Sequence, residues 1–368
     1  MRAAGVARAA GLHVLIATGG TAGHIEPALA VADALIEIAP TTEIVVLGSP
    51  RGLESVLVPA RGYELVTVPA VPLPRKLNLD LLKLPFRLWR ARTAAKRVLR
   101  ERRIDVVVGF GGYASLPAYL AARRRIPVVV HEANARAGIA NKVGARYAVA
   151  VAAAVPNCGL AAAVVTGNPV RRSISALDRG ALRTEARTYF GLDADAPTVL
   201  VTGGSQGARR INTVIRECAA DFAAAGIGVL HHHGKKNVVD PVDQRPPYVL
   251  TPYIERMDLA YAAADLVVAR SGAMTVAELA AVGLPAVYVP LPHGNGEQRL
   301  NAQAQLASGA AIAIDDADFN GDAVRRDVIG LLADGQRFSA MQAAAAVTVA
   351  TRADRAVAEM VLAAGKGA

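Results

Sequence analysis

Short apolar, β-branched runs recur along the chain, each closed by small residues and followed by a stretch with helical spacing. In order they are "HVLIATGG" (13–20), "EIVVLGS" (43–49), "DVVVGFGG" (105–112), "PVVVHEAN" (127–134) and "AAVVTGNP" (162–169). A second series follows with "TVLVTGGSQG" (198–207), "IGVLHHHG" (227–234), "YVLTPYI" (248–254), "DLVVARSG" (265–272) and "PAVYVPLP" (285–292). Continuous apolar runs alternating with helical stretches predict parallel strands covered by helices on both faces. The pattern occurs twice, and the Asn-Pro break in "TGNPVRRS" (Thr166–Ser173) separates the two series. The expected architecture is α/β, two Rossmann-like, doubly wound parallel-sheet domains over 11–170 and 171–347. A last helix near 348–364 is expected to cross back to the first domain. Ligands of such sheets sit at the carboxyl ends of the strands, which here means the cleft the two domains face.

Composition fits this picture. The 368 residues are 53% hydrophobic and 20% charged, which describes a globular chain with room for two cores. Alanine supplies much of the apolar fraction and blurs the periodicity. Cys158 and Cys218 stand far apart without metal-ligand spacing, as expected of a reduced cytosolic protein. The first residues, "MRAAGVARAAGLHVLIATGG", imitate a signal peptide. Because the apolar run leads into a glycine turn and an amphipathic stretch, it reads as a buried strand instead. Tyr147–Val170 is uncharged but broken by Pro156, Asn157, Gly159, Gly167, Asn168 and Pro169, so no membrane-spanning helix is expected there.

Charge is concentrated. Eleven Lys and Arg lie between Arg75 and Arg103 against Asp80 and Glu101, which places +9 of the net +10 in one segment. That segment also carries Leu77, Leu79, Leu81, Leu82, Leu84, Phe86, Leu88 and the sole Trp89, with Pro85 expected to separate a loop or short helix from a longer one. A basic amphipathic element with an exposed aromatic suits an anionic membrane surface, unless its apolar face packs on its own domain. Nucleic acid is disfavoured as a partner, since aromatics are only 4% of the chain and no binding motif surrounds the basic run.

The candidate chemistry lies in the turns. "GGTAGH" ends a strand and opens a helix, offering free N–H groups and a positive dipole end to an anion. Its spacing is not G-x-G-x-x-G, the next strand lacks the acidic residue that reads an adenosine ribose, and no Lys-Ser/Thr follows. NAD and ATP lose ground, and no cofactor is expected. His24 stands three residues past Thr21, the expected helix cap, in the slot of a capping box. A helix N-terminus disfavours imidazolium, so His24 is either a neutral proton acceptor or a histidine that bonds the turn. In "HEANARAG", Glu132 and Asn134 either face the cleft and bind hydroxyls or cap the following helix. In "ARSGAMTVAELAAVGLP", Thr275 and Glu278 match a capping box, while Arg270 and the helix start together would also hold a diphosphate, with Glu278 in reach of a ribose. Gln298, at the start of the helix after the glycine-proline loop 290–296, is a sugar ligand or a solvated amide. His231–His233 alternate across a strand and are read as structural. The acidic triplets 193–195 and 316–318 lie in polar connections and carry little weight.

"GGTAGH", "GFGGYASLPAYLAA", "HEAN", "GNPVR", "GGSQGA", "RSGAMTVAE" and "GNGEQRLNA" occur in this order over almost the entire chain, and together they closely resemble the MurG-type UDP-N-acetylglucosamine transferases. The resemblance implies a GT-B fold and inverting, metal-independent transfer at the cytoplasmic face of the membrane. GlcNAc would pass from UDP-GlcNAc to the muramoyl 4-hydroxyl of undecaprenyl-linked muramoyl-pentapeptide. It implies that backbone at Ile254 reads the uracil and Glu278 the ribose. Ser205, Gln206, Arg171 and the turn Ala273, Met274 and Thr275 would meet the diphosphate, with Val276 and Ala277 completing the stretch to Glu278. Asn134 and Gln298 would meet sugar hydroxyls, and Thr21, Ala22 and Gly23 would approach the diphosphate from the first domain. On this reading His24 is the general base and Glu132 its orienter or substitute, Arg171 or Arg270 stabilises departing UDP, and Leu79, Phe86 and Trp89 touch the bilayer. Two positions depart from the family pattern: Ala22 stands for a glycine and Glu297 for the first of two glutamines. Two alternatives are another GT-B sugar-nucleotide enzyme, such as an epimerase or glycolipid synthase, and a non-catalytic membrane scaffold.

Overall fold

The structure is a computed structural model that describes residues 11–50, 52–71, 80–293, 296–347 and 352–367. The chain divides into two compact units, Met1–Pro169 with Arg352–Ala368, and Val170–Thr351.

Unit 1 is built on seven parallel strands: β1 (His13–Ala17), β2 (Glu43–Gly48), β3 (Glu64–Thr67), β4 (Val106–Gly109), β5 (Val128–Glu132), β6 (Ala150–Ala153) and β7 (Val164–Val165). Their order is β3-β2-β1-β4-β5-β6-β7, with His13 beside Glu43 and Val14 beside Val106. Successive side chains of β1 enter opposite cores. Val14 and Ile16 pack with Ile25 and Leu29 of α1 (Ala22–Ile38), whereas Leu15 and Ala17 join Ala118 and Tyr119 on the other face. Burial on both faces explains why the strands read as unbroken apolar runs, each fully buried Val, Leu or Ile contributing about 1.5–3 kcal/mol. The remaining helices that matter for the site are α2 (Glu54–Ala60), α3 (Asp80–Glu101), α4 (Ser115–Ala122) and α5 (Ile139–Ala145). The last helix, Ala353–Lys366, buries Val357, Ala358 and Val361 in the α1 core, and Arg352 pairs with Asp354 and Glu37.

Unit 2 carries β8 (Thr198–Thr202), β9 (Gly228–His232), β10 (Tyr248–Thr251), β11 (Leu266–Ala269), β12 (Ala286–Tyr288) and β13 (Ala311–Ala313), all parallel, in the order β10-β9-β8-β11-β12-β13. In each unit the winding reverses beside the first strand, between β1 and β4 and between β8 and β11. The crevice outside those paired strand ends is where such sheets take ligands.

All ten apolar runs are strands. Three further strands escaped the pattern. β6 and β13 are alanine-rich, and β3 is a partly exposed edge strand carrying Glu64. Pro85 does not divide the basic segment, because α3 runs through it. Close to a helix start, proline forfeits only one hydrogen bond.

Candidate active site

Residues at the β1/β4 switch point of unit 1 converge on His24. α1 starts one residue after Thr21, but the Thr21 hydroxyl caps no amide; it lies 3.2 Å from His24 Nδ1 instead. The His24 carbonyl accepts from Thr18 Oγ1 at 2.8 Å, which fixes the residue's backbone against the end of β1. The half-buried ring then lies against Gly111. A Cβ at that position would stand 3.1 Å from His24 Cδ2 and 3.3 Å from Nε2, and Gly111 holds φ +85, so only glycine suits it. Burial lowers the His24 pKa below its ordinary value, and the charges of Glu132 and Glu54 oppose that shift without reversing it. The imidazole is thus neutral near pH 7. With Nδ1 beside Thr21, Nε2 is the nitrogen with no hydrogen bond among the described residues.

Glu132 ends β5 and is buried. Its Oε1 accepts from the Asn134 amide at 2.9 Å, and Oε2 accepts from the Gly138 amide at 3.0 Å and Asn141 Nδ2 at 2.9 Å. Both oxygens are therefore engaged by the loop 133–138 and by α5. Asn141 is itself held by the buried Tyr119 hydroxyl, which donates to its Oδ1 at 2.8 Å. Asn134 folds back on the same carboxylate. Over the first glycine turn, the half-exposed Tyr113 ring packs against Gly20.

In unit 2 the β8/β11 switch point opens into a cavity of about 720 Å³. Gly203, Gly204, Gln206, Arg270, Thr275 and Gln298 all line it. Ser205 occupies the same turn. Gly272, rather than Thr275, is the N-cap of the helix Ala273–Val282, so the capping box expected of Thr275 and Glu278 does not form. Glu278 turns inward instead, where it accepts from the buried Tyr261 hydroxyl at 2.8 Å and pairs with Arg171 at 3.4 Å. Met274, Val276 and Ala277 pack on the core beneath, which also takes the Ile254 side chain and leaves that residue's backbone as its polar feature. Arg270 donates from Nη1 to the carbonyls of Val289 and Pro290 and lies 2.6 Å from Asp316. Gln298 Oε1 accepts from the Leu291 amide at 2.9 Å.

The lesser candidates resolve into packing. Nδ1 of His231 accepts from Tyr248 and its Nε2 donates to Asn212, with burial pushing its pKa down to about 3. His232 faces Thr202, and His233 meets the Gly234 carbonyl. Asp193 bonds its own turn at Asp195 and Ala196, and the Asp193 and Ala194 carbonyls accept from the buried Arg187.

Residues 14–153 match the glycosyltransferase family 28 N-terminal domain, and residues 198–358 match the glycosyltransferase family 28 C-terminal domain. The chain belongs to glycosyltransferase family 28. Two curated relatives carry the name UDP-N-acetylglucosamine–N-acetylmuramyl-(pentapeptide) pyrophosphoryl-undecaprenol N-acetylglucosamine transferase. That of Mycolicibacterium smegmatis is 58% identical over 361 residues, covering 96% of this chain and 94% of its own. That of Mycolicibacterium paratuberculosis is 56% identical over 364 residues, covering 96% and 89%. Among solved structures, Acinetobacter baumannii MurG superposes with a TM-score of 0.74 at 28% identity, over 96% of this chain and 99% of that one. The two family 28 domains fall on the two sheets, and the switch-point residues lie within the matched segments. Sequence patterns missed Glu54, Asn141, Tyr119 and Tyr261, and gave little weight to Asp316 within its acidic triplet. All are partners of the site reached from other elements, and none stands in a glycine turn.

Proposed function

We propose that the chain is a hexosyltransferase that moves N-acetylglucosamine from UDP-GlcNAc to the muramoyl 4-hydroxyl of undecaprenyl-diphospho-muramoyl-pentapeptide, forming the disaccharide lipid of peptidoglycan synthesis. The observation that carries this reading is near full-length identity of 56–58% to enzymes bearing that name. The acceptor oxygen attacks the anomeric carbon and the bond from that carbon to the diphosphate oxygen breaks. Its electron pair leaves with UDP, and the hydroxyl proton goes to Nε2 of His24. Attack opposite the leaving group inverts the anomeric configuration. The engaged oxygens of Glu132 support its reading as the imidazole's electrostatic partner rather than the base itself. Thr21, Ala22 and Gly23 approach the diphosphate from unit 1, and Asn134 meets a sugar hydroxyl. The glycine turn 203–207 with Ser205 and Gln206, ahead of the helix Arg209–Glu217, and the helix start after Gly272 with Ala273 and Thr275 give the departing diphosphate N–H donors and positive dipole ends. Arg171 and Arg270 supply charge, Glu278 reads the ribose, the Ile254 backbone the uracil and Gln298 the sugar.

Radiolabelled UDP-GlcNAc incubated with the chain and membranes containing the undecaprenyl-linked acceptor is expected to place label in the organic extract. Label that stays in the aqueous phase, whether unchanged or epimerised, would refute the assignment.

The same reading places α3 on the anionic cytoplasmic face of the membrane. Among the described residues no helix is long and apolar enough to cross a bilayer. On α3, Phe86 and Trp89 are 60% and 59% exposed and stack at 6.1 Å, with the Arg90 guanidinium 5.8 Å from the Phe86 ring. Arg90, Lys96, Arg97 and Arg100 line a groove of about 620 Å³ beside Trp89. Leu79 lies outside the described residues. Replacing Phe86 and Trp89 together by serine is expected to weaken co-sedimentation with phosphatidylglycerol vesicles about 10-fold or more, since insertion of both rings is lost. Unchanged sedimentation would show that α3 contributes charge alone.

A further inference from the structure

The first glycine turn rests on a carboxylate that neither the motifs nor the mechanism above uses. Glu54 opens α2 and is 0% exposed. Its Oε1 accepts from the Ser49 amide at 2.8 Å and the Ser49 hydroxyl at 2.6 Å, and its Oε2 accepts from the Gly20 amide at 3.1 Å. Contact with the turn is close: a Cβ on Gly19 would stand 2.8 Å from Oε1. Burial by itself raises the pKa of this carboxyl, but the bonds from Ser49, its own backbone and Gly20 outweigh that and hold it below the ordinary value. Glu54 is therefore ionised. Among the described residues no Lys or Arg pairs with it, and these hydrogen bonds alone compensate the buried charge.

A positive charge within its field is formed by the reaction. His24 begins neutral and becomes positive when it takes the acceptor's proton. The charged groups whose fields reach it are Glu132, at the end of β5, and Glu54, on α2; Thr21 and Gly111, which lie against the ring, carry no charge. Both carboxylates are already fixed by amide donors, so neither must reorganise as the imidazolium develops. We propose that Glu54 is a positioning residue of the transfer: it pins the Gly20 amide and, with Glu132, supplies the fixed negative charge that receives the imidazolium of His24.

This inference rests on His24 as the base, and the test separates the two. The pH dependence of kcat/KM is measured on the full chain with UDP-GlcNAc and a lipid-linked muramoyl-pentapeptide acceptor. Glu54→Gln removes the charge at nearly constant size. Its acid limb is expected to move to lower pH by about 0.5–1 unit, because an anion that favoured imidazolium is gone. kcat is expected to fall about 10-fold, with UDP-GlcNAc affinity changed little because most of the donor ligands belong to unit 2. Glu54→Asp keeps the charge one methylene back and is expected to move the limb in the same direction by less, so it serves if the glutamine variant fails to fold. A residue that only braced the turn would lower kcat without moving the limb. An unmoved limb in either folded variant overturns the proposal. If His24→Ala also retains turnover, it is the base assignment that has failed.

Discussion

His24→Ala is expected to lower kcat by about 10²–10⁴-fold, the usual contribution of a positioned general base, while UDP-GlcNAc binds as before. The asymmetry follows from where the residues sit. His24 belongs to the β1/β4 switch point of unit 1, whereas most of the residues assigned to the donor lie in unit 2 around the cavity at β8/β11. The pH profile gives a second signature of the same residue. Burial disfavours imidazolium more than Glu132 and Glu54 favour it, so the ring stays unprotonated to lower pH than a free histidine. The acid limb of kcat/KM should therefore lie below about 6.5, the ordinary histidine value. Calorimetric titration with UDP-GlcNAc and initial rates between about pH 5 and 8 check both statements. Turnover within about 10-fold of the unmodified enzyme, or an acid limb above the ordinary value, would remove His24 from the base role.

How much of this was legible in the sequence depended on the kind of signal. The central strands announced themselves because both faces of each sheet are covered, which leaves no polar alternation to interpret. β6 and β13 were silent for the opposite reason, since alanine fits helix, strand and turn alike. The glycine turns were visible as motifs, and the turn after β1 pointed to His24 by position. Its environment was not visible. Gly111 against the ring, Glu132 locked by Asn134, Gly138 and Asn141, and Glu54 beneath the turn come from α2, β5, α5 and the turns after β4 and β5, and only folding brings them together.

Local pattern also misled at Thr275 and Glu278. The S/T-x-x-E spacing is satisfied, but the helix starts at Ala273, so both residues lie inside it. The side chain then follows tertiary opportunity, and Tyr261 with Arg171 offers a buried carboxylate more than a helix end does. In the same way Arg270 shows the polarity expected of a diphosphate ligand, yet its guanidinium is also shared with Asp316 and two carbonyls at the end of β12. Such a group arrives at the ligand already held in place, which reduces the ordering cost of binding.

Glu278→Gln is the donor-side counterpart of the His24 substitution, and its effect is expected on affinity rather than turnover. The carboxylate spends one bond on the Tyr261 hydroxyl and an ion pair on Arg171. On the proposed reading the vicinal ribose hydroxyls donate to this same carboxylate. Hydrogen bonds to a charged acceptor contribute about 1.5–3 kcal/mol against about 0.5–1.5 for neutral ones, and losing that difference at two hydroxyls weakens UDP-GlcNAc binding about 10- to 100-fold. Because the ribose is remote from the bond that breaks, ground state and transition state lose equally, so KM rises while kcat at saturation changes little. Removing the charge also weakens the ion pair with Arg171, and some loss of thermal stability should accompany the change. The 2′-deoxyribose analogue of the donor separates the two effects. The unmodified enzyme should discriminate against it, and Glu278→Gln should lose most of that discrimination, since a pairwise contact already broken cannot be broken again. Equal discrimination by both proteins would mean that the ribose is read elsewhere and that Glu278 serves only to anchor Arg171.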